Sequence, residues 1–151
     1  MGKQAAGLLL FRLKNNGVEV LLVHPAGPLW AHKDSWSIPK GEHEGAEDHL
    51  AAAYREFEEE IGTRPPEGQL ISLGSIKTGN KENFIWALEA EIDASKVKSN
   101  MFSMEWPPKS EQIQEFPEID RAEWFDLQTA KTKLFKGQHG FLDRLAEKLQ
   151  L

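Results

Sequence analysis

Three glutamates lie close together near the middle of the chain, at a spacing that could hold a cation. Glu56, Glu59 and Glu60 stand at i, i+3 and i+4, positions that are neighbours on one face of a helix, where like charges repel each other. Oxygen ligands on a rigid face suit a hard divalent cation such as Mg²⁺ or Mn²⁺, which would offset that repulsion. A solvated acidic surface is the alternative, and it is the commoner explanation for an isolated run of charges.

The segment that positions these glutamates has the pattern of a helix with a defined end. Apolar residues recur at three- and four-residue steps from Leu50 to Ile61, which predicts a helix over about residues 47–61. Gly62 stands where a helix commonly stops, and two prolines follow soon after it. The three carboxylates are therefore expected on one side of a single rigid element.

The residues around these glutamates complete a pattern that resembles the Nudix box. Seven identity positions agree, namely Gly41, Glu47, Arg55, Glu56, Glu59, Glu60 and Gly62, and Phe57 fills a hydrophobic position. With residue frequencies of roughly 5–10% each, so many matches are not expected by chance. Thr63 departs from the aliphatic residue that the family usually has. The resemblance implies a Nudix-type α/β/α sandwich with a mixed central sheet, and hydrolysis of a nucleoside diphosphate linked to another group.

The resemblance also implies roles for individual residues. It places the metal ligands at Gly41, Glu56, Glu59, Glu60 and Glu118, with Mg²⁺ as the expected ion and Mn²⁺ as its substitute. The catalytic residues would be Glu56, Glu59 and Glu118, and either Glu56 or Glu118 would take a proton from the attacking water. Glu118 is included because several Nudix enzymes carry a catalytic glutamate shortly before a late strand. Glu115 and Asp120 are its competitors in this segment.

Four residues are expected to contact substrate: Lys40, Arg55, Trp86 and Trp30. Lys40 precedes the box in a Trp-x-x-Pro-Lys-Gly run that is similar to the diadenosine polyphosphate hydrolase branch, and its charge would meet a phosphate oxygen. A nucleobase needs a flat apolar surface to stack upon, and Trp86 and Trp30 are the first choices for that surface. Arg55 lies two helical turns after Glu47, so fixing the helix and the preceding loop is an equal alternative for this pair.

The substrate is less sharply indicated than the family. The segments EWPPKS and EFPEIDRAEWFDL also resemble a bacterial Nudix subgroup of predicted NTP pyrophosphohydrolases. A dinucleoside polyphosphate is the first expectation, and a modified nucleoside triphosphate cleaved to a monophosphate and pyrophosphate is the second. Removal of a 5′ pyrophosphate from RNA is a third candidate. A Nudix-fold nucleotide sensor is the non-enzymatic alternative, although such modules commonly lose the glutamates that this chain keeps.

Length and charge exclude several other classes of protein. The 151 residues suit one domain, residues 1–151. The net charge of −6 argues against DNA as a partner and disfavours RNA, because a nucleic-acid surface requires a basic patch. There is no cysteine for a disulfide or thiolate site, and the apolar run 5–11 is too short to span a membrane. A cytoplasmic location is expected, and the oligomeric state is left open.

The other elements follow from turn signals and periodicity. Asn16-Gly17 between the apolar runs 6–11 and 18–23 predicts a β-hairpin. Strands are further expected over residues 70–76, 84–92 and 121–127, and an amphipathic helix over 140–151. The stretch 99–117 mixes aromatics, prolines and polar residues, which predicts a long but packed loop.

Overall fold

A mixed six-stranded sheet forms the centre of the computed structural model, which describes residues 2–151. The strands are β1 (Lys3–Lys14), β2 (Gly17–Pro25), β3 (Lys40–His43), β4 (Leu70–Thr78), β5 (Lys81–Glu89), β6 (Met101–Glu105), β7 (Ile113–Pro117) and β8 (Ile119–Asp126). The helices are α1 (His49–Ile61), α2 (Leu127–Lys133) and α3 (His139–Lys148). The order across the sheet is β4-β5-β1-β2-β8, and β3 pairs with the first half of β1.

Strand β1 holds the sheet together, because it is parallel to β5 and antiparallel to both β2 and β3. Leu8 and Leu10 of this strand pack on the side of α1, whereas Leu9 and Phe11 pack on the side of α2 and α3. A strand covered on both faces reads as an unbroken apolar run rather than an alternating one. The expected α/β/α sandwich with a mixed central sheet is therefore confirmed.

The first hairpin turns one residue earlier than the Asn-Gly signal indicates. Lys14 pairs with Gly17, so the two central residues of the turn are Asn15 and Asn16, with φ of 53° and 64°. A two-residue turn of this hand requires positive φ at both positions. Asparagine tolerates that region better than other non-glycine residues, and the two asparagines together supply the turn.

Helix α1 begins at His49 rather than near residue 47. The reason is Asp48, whose side chain accepts a hydrogen bond from the amide of Ala51 and so caps the helix. The helix ends at Ile61, and Gly62 adopts the left-handed conformation with φ of 93°. The predicted stop is confirmed, and the capped start fixes where each glutamate stands around the helix axis.

The stretch 99–117 contains two strands that the sequence does not predict. Strands β6 and β7 form a separate two-stranded hairpin whose side chains are mostly exposed, so the sequence lacks the apolar alternation of a half-buried strand. Helix α2 is short and was also not expected. None of the helices in residues 2–151 combines the length and the apolar character needed to cross a bilayer.

Candidate active site

Arg55 links the carboxylates of helix α1 to the loop that precedes the helix. Its Nε and Nη2 donate to the two carboxylate oxygens of Glu47, both at 3.0 Å. Its Nη1 donates to Oε1 of Glu56 at 3.1 Å and to Oε1 of Glu59 at 3.2 Å. The paired contact orients both partners and lowers the pKa of Glu47. Arg55 and Glu47 thus fix the helix and its loop, while substrate contact by Arg55 stays a prediction.

Strand β3 passes so close to α1 that a side chain at Gly41 would displace the carboxylate of Glu56. A Cβ atom added there would lie 2.0 Å from Oε2 of Glu56. At the preceding residue the backbone N–H of Lys40 donates to Oε1 of Glu60 at 3.2 Å. The carboxylates of Glu56 and Glu60 therefore both lie against the backbone of β3.

Burial of these carboxylates disfavours their ionised form. Glu56 is 8% exposed, and burial followed by the negative charge of Glu59 raises its pKa to about 7. Burial raises the pKa of Glu60 well above its usual value, and the charges of Glu118 and Glu56 act in the same direction. Such a group of mutually repelling acids is stabilised in its charged form by a cation.

Glu118 is tied to the end of α1 by a series of backbone hydrogen bonds. The amide of Asn100 donates to the carbonyl of Glu59, and the amide of Glu118 donates to the carbonyl of Asn100, both at 2.9 Å. The carbonyl of Glu118 in turn accepts from the amide of Ala26 at 2.9 Å. Burial raises the pKa of Glu118, and the charge of Glu59 contributes. The fourth acid thus lies within electrostatic reach of the helix carboxylates.

The two competitors of Glu118 are placed differently. Glu115 is an exposed residue of strand β7. Asp120 lies 2.8 Å from Nδ1 of His24 and is occupied by that contact. Among the three acids of this segment, Glu118 is the one on which the charge of Glu59 acts, and its catalytic role stays a prediction.

The donor set at this site suits a divalent metal ion. It offers carboxylate oxygens and the backbone of Gly41, which are ligands that Mg²⁺ prefers, and the close approach at Gly41 brings backbone and Glu56 together. As they stand, no three acidic or histidine side chains in residues 2–151 form a complete metal-binding group. Arg55 lies between Glu56 and Glu59, so Glu56 and Glu59 must turn away from the guanidinium to share an ion.

Comparison with known proteins identifies the family. The sequence profile described as NUDIX domain matches residues 1–145. The chain belongs to the Nudix family. As a Nudix hydrolase it acts on pyrophosphate bonds, and enzymes of this family generally use divalent metals. No curated protein sequence matches the chain significantly.

Solved Nudix structures share the fold over nearly the whole chain. A C. elegans Ap4A hydrolase in a binary complex is 20% identical with a TM-score of 0.64, and the match covers 98% of both chains. The NUDIX domain of Shewanella oneidensis NrtR, complexed with ADP ribose, is 15% identical with a TM-score of 0.63, covering 99% of this chain and 89% of that one. A mutT/nudix family protein from Listeria innocua is 15% identical with a TM-score of 0.64, covering 98% and 94%. At these identities the likeness concerns the fold alone.

In this Nudix hydrolase Lys40 joins the carboxylate site to a neighbouring cavity. Its backbone contacts Glu60, as described above, while its side chain lines a cavity together with Asn83 and Phe135. Burial lowers the pKa of the ammonium group, and the charge of nearby Lys81 lowers it further. A phosphate group beside Lys40 would relieve both effects, which agrees with the predicted phosphate contact without testing it.

The two tryptophans proposed for base stacking lie in different surroundings. Trp86 is half buried in β5 and packs against the apolar cluster beneath α1. Trp30 is 40% exposed, meets the edge of Phe135 at a centroid distance of 5.5 Å and lies 4.7 Å from the ammonium of Lys33. Trp30 therefore adjoins the side chain that lines the Lys40 cavity, and a stacking role for either tryptophan stays a prediction.

The sequence reasoning missed two buried polar residues near the site. His24 is fully buried and lies between Oδ1 of Asp120, at 2.8 Å, and the carbonyl of Lys33, at 2.5 Å. It fastens the loop that carries Trp30 to strand β8. Asn83 is 3% exposed and lines the Lys40 cavity. Neither residue belongs to a local sequence motif, because the groups that each contacts lie on other elements of the fold. No signal in the sequence therefore pointed to them.

Proposed function

We propose that this protein catalyses Mg²⁺-dependent hydrolysis of a phosphoanhydride bond in a nucleoside diphosphate derivative, with a dinucleoside polyphosphate as the preferred substrate. The observation that carries the proposal is the close approach of Glu56 to the backbone of Gly41. The charges of Glu59, Glu60 and Glu118 act on one another and on Glu56 in the same region. Mn²⁺ is expected to substitute for Mg²⁺, because both ions accept oxygen ligands.

Each residue contributes a distinct part of the chemistry. When bound to these carboxylates, the metal ion would offset the charge of the diphosphate and acidify a water molecule. Glu118 or Glu56 takes the proton from the attacking water onto a carboxylate oxygen. Lys40 donates to a phosphate oxygen of the substrate. Arg55 keeps its paired contact with Glu47 and so holds the loop that precedes the helix.

Two features support a dinucleoside polyphosphate as substrate. The Lys40 lead-in is similar to the diadenosine polyphosphate branch, and the C. elegans Ap4A hydrolase shares the fold over 98% of the chain. The alternative substrate is a modified nucleoside triphosphate cleaved to a monophosphate and pyrophosphate. These substrate classes release different products, so product analysis separates them.

A hydrolysis screen with product analysis tests the proposal. Dinucleoside polyphosphates, ADP-ribose, nucleoside triphosphates and modified triphosphates are incubated with the protein and Mg²⁺, and the products are separated by ion-exchange chromatography. The proposal expects a nucleoside monophosphate together with the remaining nucleotide from the best dinucleotide. Pyrophosphate released from a triphosphate at a higher rate would favour the alternative. The absence of hydrolysis across the panel with either ion would overturn the proposed activity.

A pair of glutamate variants on α1 provides the matched control. Glu59→Gln keeps an oxygen that accepts from Arg55, so the fold should persist while turnover falls by roughly 100-fold or more, since even the outer partners of a metal site commonly matter by 10- to 100-fold. Glu58 is exposed on the same helix and makes only a 3.7 Å contact with Arg64. Glu58→Gln should retain full activity. Equal activity of the two variants would refute the metal assignment.

A further inference from the structure

The register between β2 and β8 changes next to the fourth acid. His24 pairs with Arg121, but the following residue, Pro25, pairs with Ile119. Asp120 is therefore an extra residue of β8 that has no partner on β2, which makes this position a β-bulge. Bulges bend a strand and change the direction of nearby side chains, and they are frequent beside active sites.

The bulge decides which face of the sheet the preceding residues occupy. Ile119 and Ala122 both pack in the apolar cluster beneath α1, although they are three positions apart. In a regular strand, side chains three positions apart lie on opposite faces. Without the bulge, Ile119 would leave this cluster and Glu118 would turn with it, because a slip of one residue moves every side chain to the other face.

His24 holds Asp120 in the bulged position. Nδ1 of His24 lies 2.8 Å from Oδ1 of Asp120, and Nε2 lies 2.5 Å from the carbonyl oxygen of Lys33. A carbonyl oxygen only accepts, so Nε2 donates to it. The ring is fully buried and meets the edge of Trp36 at a centroid distance of 5.1 Å, whereas the side chain of Asp120 is 35% exposed. His24 is therefore the fixed partner of the pair.

A backbone hydrogen bond connects the same end of β2 to Glu118. The amide of Ala26, two residues after His24, donates to the carbonyl of Glu118 at 2.9 Å. The end of β2 therefore contacts the segment 118–120 at two points, at Glu118 through the backbone and at Asp120 through the His24 ring. Loss of the second contact would leave the bulge without its side-chain support.

We propose that His24 is a positioning residue of the hydrolytic site: by holding Asp120 in the bulge, it sets the direction in which Glu118 faces. His24 acts through Asp120 and the backbone and does not itself contact substrate. The proposal rests on the proposed function in one respect, namely that Glu118 is a metal ligand.

Manganese binding to a matched pair of Asp120 variants tests this inference. The affinity for Mn²⁺ is measured by isothermal titration calorimetry. Asp120→Ala removes the partner of His24 and should weaken binding about 10-fold, a size typical of groups that orient a metal ligand. Asp120→Asn keeps an oxygen that accepts from Nδ1 and should retain most of the affinity. Equal losses in the two variants would assign the effect to the charge of Asp120 and overturn the inference.

Combination with Glu118→Gln separates positioning from a general structural effect. In the Glu118→Gln background, Asp120→Ala should weaken Mn²⁺ binding little further, since the ligand that it positions is already lost. A fully additive loss would overturn the inference. His24→Gln should behave as Asp120→Ala does, because one amide group cannot replace both ring nitrogens. His139→Gln is the control and should bind Mn²⁺ normally, since that ring donates to the carbonyl of Leu134 at the start of α3.

A readout without metal distinguishes failure of this inference from failure of the proposed function. Amide hydrogen exchange, followed by NMR in chelator-containing buffer, reports the bond from Ala26 to Glu118. In Asp120→Ala the Ala26 amide should exchange faster, whereas the hydrogen-bonded amide of Leu8 should keep its rate. An unchanged rate at Ala26 would overturn the positioning role even if nucleotides were hydrolysed. Faster exchange there, with Mn²⁺ binding that Glu118→Gln does not weaken, would refute the metal assignment of Glu118 and leave its positioning by His24 in place.

Discussion

Without divalent cations, the protein should lose stability as the pH rises from about 5 to 8. The buried carboxylate of Glu56 has a pKa of about 7 in the folded state, against 4.5 for the ordinary side chain. The folded state therefore binds more protons than the unfolded state between these values, and the free energy of unfolding falls as the pH rises through them. The contribution of the protonated Glu56 side chain to the free energy of unfolding is fully present below pH 4.5 and is lost above about pH 7.

The difference between 4.5 and about 7 corresponds to about 3 kcal/mol, at about 1.4 kcal/mol for each pH unit. For a chain of this length, such a change moves the melting temperature by roughly 6–12 °C. Glu60 and Glu118 also have raised pKa values and add to the loss in the same direction. His43 opposes it, because burial, followed by the charge of His49, lowers its pKa and favours the folded state at higher pH.

Differential scanning fluorimetry in chelator-containing buffers from pH 5 to 8 measures this effect. The melting temperature of the Glu56→Gln variant should vary much less with pH than that of the unaltered protein. Because His43 is present in both proteins, the difference between the two curves reports the contribution of Glu56 alone. Glu58→Gln should keep the original slope, and Mg²⁺ added at pH 8 should restore stability. A metal-free melting temperature that varied identically with pH in the Glu56→Gln variant would refute the reasoning.

Three substitutions test the packing that supports the site. Gly62→Ala should destabilise the fold by about 2–4 kcal/mol in urea unfolding, because it forces a side chain to φ of 93° and places its Cβ 2.3 Å from the carbonyl of Lys98. Gly41→Ala should cost far more activity than stability, with kcat reduced about 100-fold or more, since its Cβ displaces the carboxylate of Glu56; a normal kcat would contradict the close approach. Phe141→Ala should lower the free energy of unfolding by about 3–5 kcal/mol, because the ring is fully buried.

The parts of the site that were predictable from sequence are the local ones. Helix α1, its glycine stop and the spacing of its glutamates depend on residues within a few turns of one another. Their pattern can be recognised in the sequence because helical periodicity and capping depend on residues that are close together in the chain. Glu118 required the family resemblance, since nothing in its own segment distinguishes it from Glu115.

The parts that were not predictable depend on contacts between distant segments. Oε1 of Gln138 accepts from the amide of Ile38 at 2.9 Å, across 100 positions in sequence, and His24 meets Asp120 across 96. The cavity around Asn83 arises only when β5, β3 and the turn after α2 come together. Such tertiary contacts leave no periodic trace in the sequence.

The backbone hydrogen bonds that join Glu59, Asn100 and Glu118 hold the ends of the β6–β7 hairpin but not its tip. Both ends of the hairpin are anchored, at Asn100 and at Glu118, whereas its tip between Glu105 and Ile113 is exposed. Residues can thus be inserted or exchanged at the tip without moving the fourth acid, because loop extensions at exposed tips cost little free energy. The tip of the hairpin can therefore vary in length and sequence while Glu118 keeps its place beside the end of α1.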